Sequence, residues 1–314
     1  MIYLKHGMKL SMPNKELIKK KFSKSLATYE KNAIVQIYMA DLLLQELVHF
    51  LDCRVGQSPP RNDIKNKNSK SHVIARHHAL HDVEAIQEKK YYFDKILEIG
   101  CGAGLLTKQI LKDFNFSEFF VNDMSEDSLN YVKSFQIFTP HPASSHLLPQ
   151  GAKGQLKLRC GDCENIKLPT DLDLVISNAT FQWVEDFPSL LNKIHSSLKS
   201  QGILAFTTFG EQNFHQIKTI TGKSLNYYNQ KKIENMLSKS FKIIYSNSEI
   251  INVEFDSAYE ILKHLKLCGV NALEQTKWTK KDLNDFEGKY NNFITSNGKL
   301  PLTYQPMYFI AQKL

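Results

Sequence analysis

The sequence predicts an α/β fold in which a doubly wound, mostly parallel β-sheet carries added helices and an antiparallel edge. Three observations predict it. From Tyr92 to Phe209, short apolar runs alternate with segments of helical spacing, the pattern of strands joined by crossover helices. The first of those runs ends in a glycine-rich turn, ILEIGCGAGLLTKQIL (Ile96–Leu111), that opens directly into a helix. After Phe209, two late runs, FKIIYSNSEIINVEF and YQPMYFIAQK, read as strands and fit an antiparallel edge on a parallel core.

In chain order, Pro13 to Phe50 has helical spacing. Leu17, Ile18 and Phe22 form one apolar face, Ile34, Ile37, Leu42, Leu43, Leu44 and Leu47 another, and Lys15, Lys19, Lys20, Lys21 and Lys24 an outward one. Residues 1–51 are expected to form a helical cap on the substrate side. Residues 52–90 are polar, broken by Pro59-Pro60, and read as an insertion whose first half is flexible. Residues 91–314 read as one ligand-binding domain. Its expected strands are Ile96–Ile99, Glu118–Val121, GQLKLRC, LDLVIS and GILAFTTF, with helices at Gly102–Asp113, Glu126–Phe135 and Phe187–Lys199. Thr139–Lys153 reads as a second insertion, and Ala258–Leu267 and Lys281–Thr295 as helices within a substrate-side stretch at about 251–300.

A chain of 314 residues, 42% hydrophobic and 23% charged, can bury a sizeable core. No apolar run approaches the ~18 residues of a membrane span, and the N-terminus lacks a signal peptide's apolar segment. The five cysteines are irregularly spaced, which fits a reducing compartment. A cytoplasmic monomer with no membrane attachment is therefore expected. The net charge of +8 favours an anionic partner. Only Arg54, Arg61, Arg76 and Arg159 are arginines, which argues against a nucleic-acid binder. His77 and His81 share a helical spacing, and Cys160 and Cys163 form a lone C-x-x-C. Neither has the further ligands that zinc requires, so no metal is expected.

The glycine turn alone fits several nucleotide-type ligands, and its surroundings discriminate among them. Leu105 stands where a dinucleotide fingerprint has its third glycine, after Gly100, Gly102 and Gly104. Glu98, at the strand end, would repel a pyrophosphate and attract an ammonium. Asp123 lies 19 residues beyond Gly104, where a carboxylate accepts from two ribose hydroxyls. Asp162, in GDCENI, is a candidate acceptor for an adenine amino group. Asn178 ends the fourth strand at the crevice where open α/β sheets bind ligands. An adenosine compound bearing an ammonium and no phosphate is S-adenosylmethionine.

The stretches EIGCGAG, NDMS, GDCEN and SNATFQWV resemble, in order, the cofactor motifs of class I methyltransferases, which share a seven-stranded Rossmann-like sheet. KFSKSLATYEKNAIVQ (Lys21–Gln36) further resembles the N-terminal helix pair of the malonyl-carrier-protein O-methyltransferases of biotin synthesis. SNATFQWVEDFPSLL, ILAFTTFGEQNFHQI, AYEILKHLKLCGVNA and LPLTYQPMYFIAQK resemble the same family. The likeness runs from about Lys15 to the end, broken by the two insertions, and His215 departs from it where an acidic residue is common.

The resemblance implies S-adenosylmethionine as cofactor, S-adenosylhomocysteine as product, and malonyl-acyl carrier protein or malonyl-CoA as acceptor. It implies cofactor contacts from Glu98, Gly100, Cys101, Gly102, Gly104, Asp123, Met124, Asp162, Cys163 and Asn178, with Gln36 helping to hold the cofactor carboxylate. Tyr29 is expected to position groups near the methyl. Gln182 and Trp183 are expected on the acceptor side, and Lys263 and Lys266 to meet an acidic carrier protein. Cys101 reads as a small residue in the loop rather than a nucleophile. Other acceptors, a small carboxylate or a quinone precursor, and a non-catalytic cofactor-binding subunit remain as alternatives, with nicotinamide oxidoreduction a distant one.

Overall fold

The computed structural model describes residues 14–54, 56, 91–135, 154–270 and 279–314. The second insertion and nearly all of the first lie outside the described residues, as do His77 and His81.

The N-terminal helical spacing becomes two helices, α1 (Lys15–Asn32) and α2 (Ile34–Arg54). Asn14 caps α1, its side chain accepting from the Leu17 N–H at 2.9 Å. Ala33 leaves helical geometry (φ −83°, ψ 47°) although its N–H still returns to the Tyr29 carbonyl, so the chain turns without glycine or proline. Helix α2 continues past position 51.

The rest of the chain runs β1 (Tyr91–Ile99), α3 (Leu105–Asp113), β2 (Phe114–Asp123), α4 (Glu126–Lys133), β3 (Gln155–Cys160), β4 (Leu172–Ser177), α5 (Phe187–Ser197), β5 (Leu198–Phe209) and α6 (His215–Thr221). It ends with α7 (Gln230–Leu237), β6 (Phe241–Ser248), β7 (Ile251–Phe255), α8 (Ala258–Leu267), α9 (Lys280–Tyr290), β8 (Leu300–Tyr304) and β9 (Pro306–Lys313). Seven strands form one sheet in the order β3-β2-β1-β4-β5-β9-β6. The first five are mutually parallel, and β9 is antiparallel to both of its neighbours. The doubly wound, mostly parallel sheet is thus as the sequence predicts. The chain order reverses between β1 and β4, which opens a crevice beyond their C-terminal ends.

The late strands depart from the sequence reading. FKIIYSNSEIINVEF is not one strand: it breaks at Glu249 and Ile250, so that β6 pairs with β9 while β7 pairs with β8 in a separate two-stranded sheet. YQPMYFIAQK breaks likewise at Gln305. The charged Glu249 marks the parting, its carboxylate accepting from the Tyr308 hydroxyl at 2.7 Å and its N–H donating to the Pro306 carbonyl. The antiparallel strand β9 is interior, and β6 forms the edge. Helix α9 stops at Tyr290, short of Thr295, after a capping box of Thr279 and Asp282.

Contrary to the sequence reading, α2 is long and apolar enough to cross a membrane by length and composition. Its apolarity has another destination. Met39, Ala40, Leu43 and Leu47 are wholly buried, and the helix lies on β5 and β9. The opposite face of the sheet is covered by α5 and α7, whose Leu190, Ile194 and Ile233 share a core with Phe206 and Phe309.

Candidate cofactor and active site

A cleft lies at the C-terminal ends of the parallel strands, roofed by α1. It collects Gly100–Ala103 after β1, Asn122–Ser125 at and just beyond the end of β2, Gly161–Glu164 after β3, Asn178–Thr180 after β4, and Lys15, Ile18, Lys19, Phe22 and Tyr29 from α1. The glycine turn follows from its backbone: Gly100, Gly102 and Gly104 take φ of 75°, 51° and 72°, a left-handed region costly for other residues. At Gly102 no atom of the described residues lies within 4 Å of where a Cβ would stand, so the cleft side is open to a ligand there. At Gly104 a Cβ would strike Phe135 and Val132; this glycine serves the packing of α3 and does not line the cleft.

Glu98 is 1% exposed at the end of β1, and Oε2 accepts from the Thr107 hydroxyl at 2.6 Å. Burial pushes its carboxyl up to about 8, the Thr107 bond opposing this and the Asp123 charge adding to it. A cationic group placed beside it would relieve that penalty. Asp123 is also raised by burial, against hydrogen bonds from the Ser125 N–H (2.8 Å) and the Gly102 N–H (2.9 Å). Asp162 accepts from the Glu164 N–H at 3.0 Å and forms an ion pair with Lys15 at 2.6 Å.

The structure brings most of the predicted residues together. Tyr29, Glu98, Gly100, Cys101, Gly102, Asp123, Met124, Asp162, Cys163, Asn178 and Trp183 all line the cleft. Cys101 is buried, and burial with the nearby Asp123 and Glu98 charges raises its thiol well above the ordinary range, which removes it as a nucleophile. Asn178 lies in the wall, but its side chain is engaged by the scaffold: Oδ1 accepts from Thr207 Oγ1 at 2.6 Å and Nδ2 donates to the Gln36 carbonyl at 2.9 Å. Ala179 follows it at φ 50°.

Other predicted residues stand elsewhere. Gln36 is buried in α2 outside the cleft lining, its main chain rather than its side chain meeting Asn178. Gln182 ties down its own turn, donating to the Ala179 carbonyl at 2.5 Å and accepting from Thr208 at 3.3 Å. Lys263 and Lys266 are exposed on α8, which packs against α1 through a Thr28 hydroxyl to Leu267 carbonyl bond of 3.2 Å. His215 is half-buried at the start of α6, and burial lowers its imidazole pKa.

Sequence reasoning missed Lys15, Phe22, Glu164, Ser125 and Thr180 as cleft residues. Lys15 sits in a lysine-rich run that reads as a solvated face, and its partners lie 147 and 149 residues away. Ser125 and Glu164 lie within the stretches NDMS and GDCEN, so their place beside the ligand was legible in the sequence.

The donors and acceptors suit an adenosyl amino acid: a buried carboxylate for an ammonium, a strand-end carboxylate for a diol, a further carboxylate for a base, and an open glycine turn between them. Nothing among the lining residues matches a diphosphate near Glu98.

Comparison with known proteins agrees. Residues 97–206 match the family model described as "Methyltransferase domain". The chain is 36% identical over 297 residues to the malonyl-[acyl-carrier protein] O-methyltransferase of Calditerrivibrio nitroreducens, covering 94% of this chain and 96% of the relative. It is 30% identical over 304 residues to the protein of that name from Acinetobacter baylyi, covering 96% and 97%. Among solved structures, it is similar to the YcgJ protein of Bacillus subtilis (TM-score 0.50, 13% identity, 76% of this chain and 98% of that one), a likeness that concerns the fold alone. With near-complete coverage at these identities, the chain belongs to the malonyl-[acyl-carrier protein] O-methyltransferase family.

Proposed function

We infer that the protein esterifies the free carboxylate of malonyl-acyl carrier protein with a methyl group from S-adenosylmethionine, an early step of biotin synthesis. The observation that carries this reading is the buried Glu98 beside the open glycine turn, in a chain of this family. S-adenosylmethionine, when bound, supplies a sulfonium methyl group open to attack by a carboxylate oxygen.

Glu98 holds the ammonium of the amino-acid tail, Asp123 accepts from the ribose hydroxyls, and Asp162 accepts from the base. The acceptor carboxylate is already ionised at neutral pH, with a reference pKa near about 4, so no general base is needed. Tyr29 fits that scheme. Burial raises its hydroxyl above the ordinary range, so it stays protonated and acts by position rather than by proton abstraction. With Phe22 at 5.9 Å and Trp183 edge-on to Phe22 at 6.2 Å, it forms an aromatic wall that excludes water from the attacking oxygen. Lys263 and Lys266 on α8 meet the acidic carrier protein beside the roof of the cleft.

The test is methyl transfer from labelled S-adenosylmethionine to malonyl-carrier protein, malonyl-CoA and a quinone precursor in parallel. Labelling of a malonyl thioester as a base-labile ester is the expected result. Labelling of the quinone precursor alone would overturn the assignment.

A further inference from the structure

We propose that Lys15 is a positioning residue of the cleft: reaching down from α1, it fixes the carboxylate of Asp162, the acceptor for the base end of the ligand. The inference rests on the reading of the cleft as a site for S-adenosylmethionine.

Four carboxylates line this cleft: Glu98, Asp123, Asp162 and Glu164. They are not equivalent. Lys15 Nζ lies 2.6 Å from Asp162 Oδ2, bonds Glu164 as well, and stands 3.6 Å from Glu185 Oε1. The Lys15 and Asp162 side chains are 20% and 19% exposed, so water screens their attraction only in part. Burial alone would lower the Lys15 pKa; the bonds and charges of Asp162 and Glu164 more than reverse this, and the side chain stays cationic.

Asp162 is held from three sides. Lys15 and Asn165 Nδ2 (3.2 Å) donate to Oδ2, and the Glu164 N–H donates to Oδ1. Glu164 in turn accepts from the Glu185 and Asp186 N–H groups at 3.0 and 2.7 Å. At the other end, Glu98 receives the Thr107 hydroxyl and has no cation within ion-pair range among the described residues. A ligand carrying both a base and an ammonium therefore finds a carboxylate held in place by a lysine at one end, and at the other a buried carboxylate with no cationic partner among the described residues. Because Lys15 is the first residue of α1, the same contact draws the start of the roof helix onto the Asp162 loop, while further along the helix Ser23 meets Ser125 at 2.9 Å.

Adenosine, which lacks the amino-acid tail, separates the two ends experimentally. Full-length wild type, Lys15→Met, Lys15→Arg and Glu98→Gln would be titrated calorimetrically with S-adenosylhomocysteine and with adenosine, beside steady-state methyl transfer. Lys15→Met is expected to weaken both ligands by the same factor, about ten- to hundredfold, the scale for a lost charged hydrogen-bond partner. KM for the methyl donor should rise while kcat at saturation holds. Lys15→Arg, which keeps the charge, should recover most of the loss. Glu98→Gln should weaken S-adenosylhomocysteine and leave adenosine unchanged. Unaltered adenosine binding in Lys15→Met, or a Lys15→Arg loss as large as that of Lys15→Met, would overturn the proposal alone. Wild-type protein that bound neither ligand would overturn it together with the assigned cofactor.

Discussion

Glu98 is the residue on which the chemistry of the cleft turns. With its carboxyl pushed up to about 8 by burial, it is largely protonated at neutral pH before a ligand arrives. Binding an ammonium beside it favours the ionised form, so the proton must leave. Titration of S-adenosylhomocysteine near pH 7 in buffers of differing ionisation enthalpy should show release of close to about one proton per site. Affinity should rise with pH as Glu98 ionises, from about pH 6 toward 8, and level off above the folded pKa. Glu98→Gln should release no proton, lose this pH dependence, and bind about 1–3 kcal/mol more weakly. Asp123→Ala should lose a similar amount through the ribose, an effect measurable in the same titrations. Both carboxylates were legible in the sequence because each ends its own strand next to a recognisable turn. Lys15 was not, since a charge's partner across 147 residues leaves no local pattern.

At the scale of elements, the glycine turn separates folding from binding. A Cβ at Gly100 would overlap the Thr180 side chain, and one at Gly102 would meet nothing among the described residues within 4 Å. Both positions also carry a left-handed backbone, which costs a substituted residue about 1–2 kcal/mol. Gly100→Ala should therefore lower the melting temperature more than Gly102→Ala. Gly102→Ala should fold yet bind S-adenosylhomocysteine poorly, its methyl standing where the ligand backs onto the loop. Thermal melts set beside calorimetry would check both. The parallel strands could be read in advance because their apolar runs are bounded by turn residues. The breaks at Glu249 and Gln305 could not, because apolar spacing resumes in step at Ile251 and a continuous apolar run follows Gln305, so only pairing with different sheets reveals them. The break at Ala33 is hidden for a related reason, lying between two apolar helical patterns with neither glycine nor proline.

For the whole molecule, the net charge of +8 has a direction to act in. Lys263 and Lys266 are exposed on the helix that packs against α1, close to the roof of the cleft. Reversing both to Glu should raise KM for malonyl-carrier protein about tenfold at low ionic strength, while KM for S-adenosylmethionine stays put. Added salt should shrink the difference. An unchanged carrier KM in initial-rate assays would place the docking surface elsewhere.

Strand β9 sits between β5 and β6, with residues 306–311 buried. During synthesis, β6 is complete dozens of residues before β9, its neighbour in the large sheet, leaves the ribosome. Until then β5 and β6 both present open edges, and the apolar faces awaiting Met307, Phe309 and Ala311 stay wet. The nascent protein therefore has a waiting interval set by ribosome speed, during which those two edges are open to pairing with another chain.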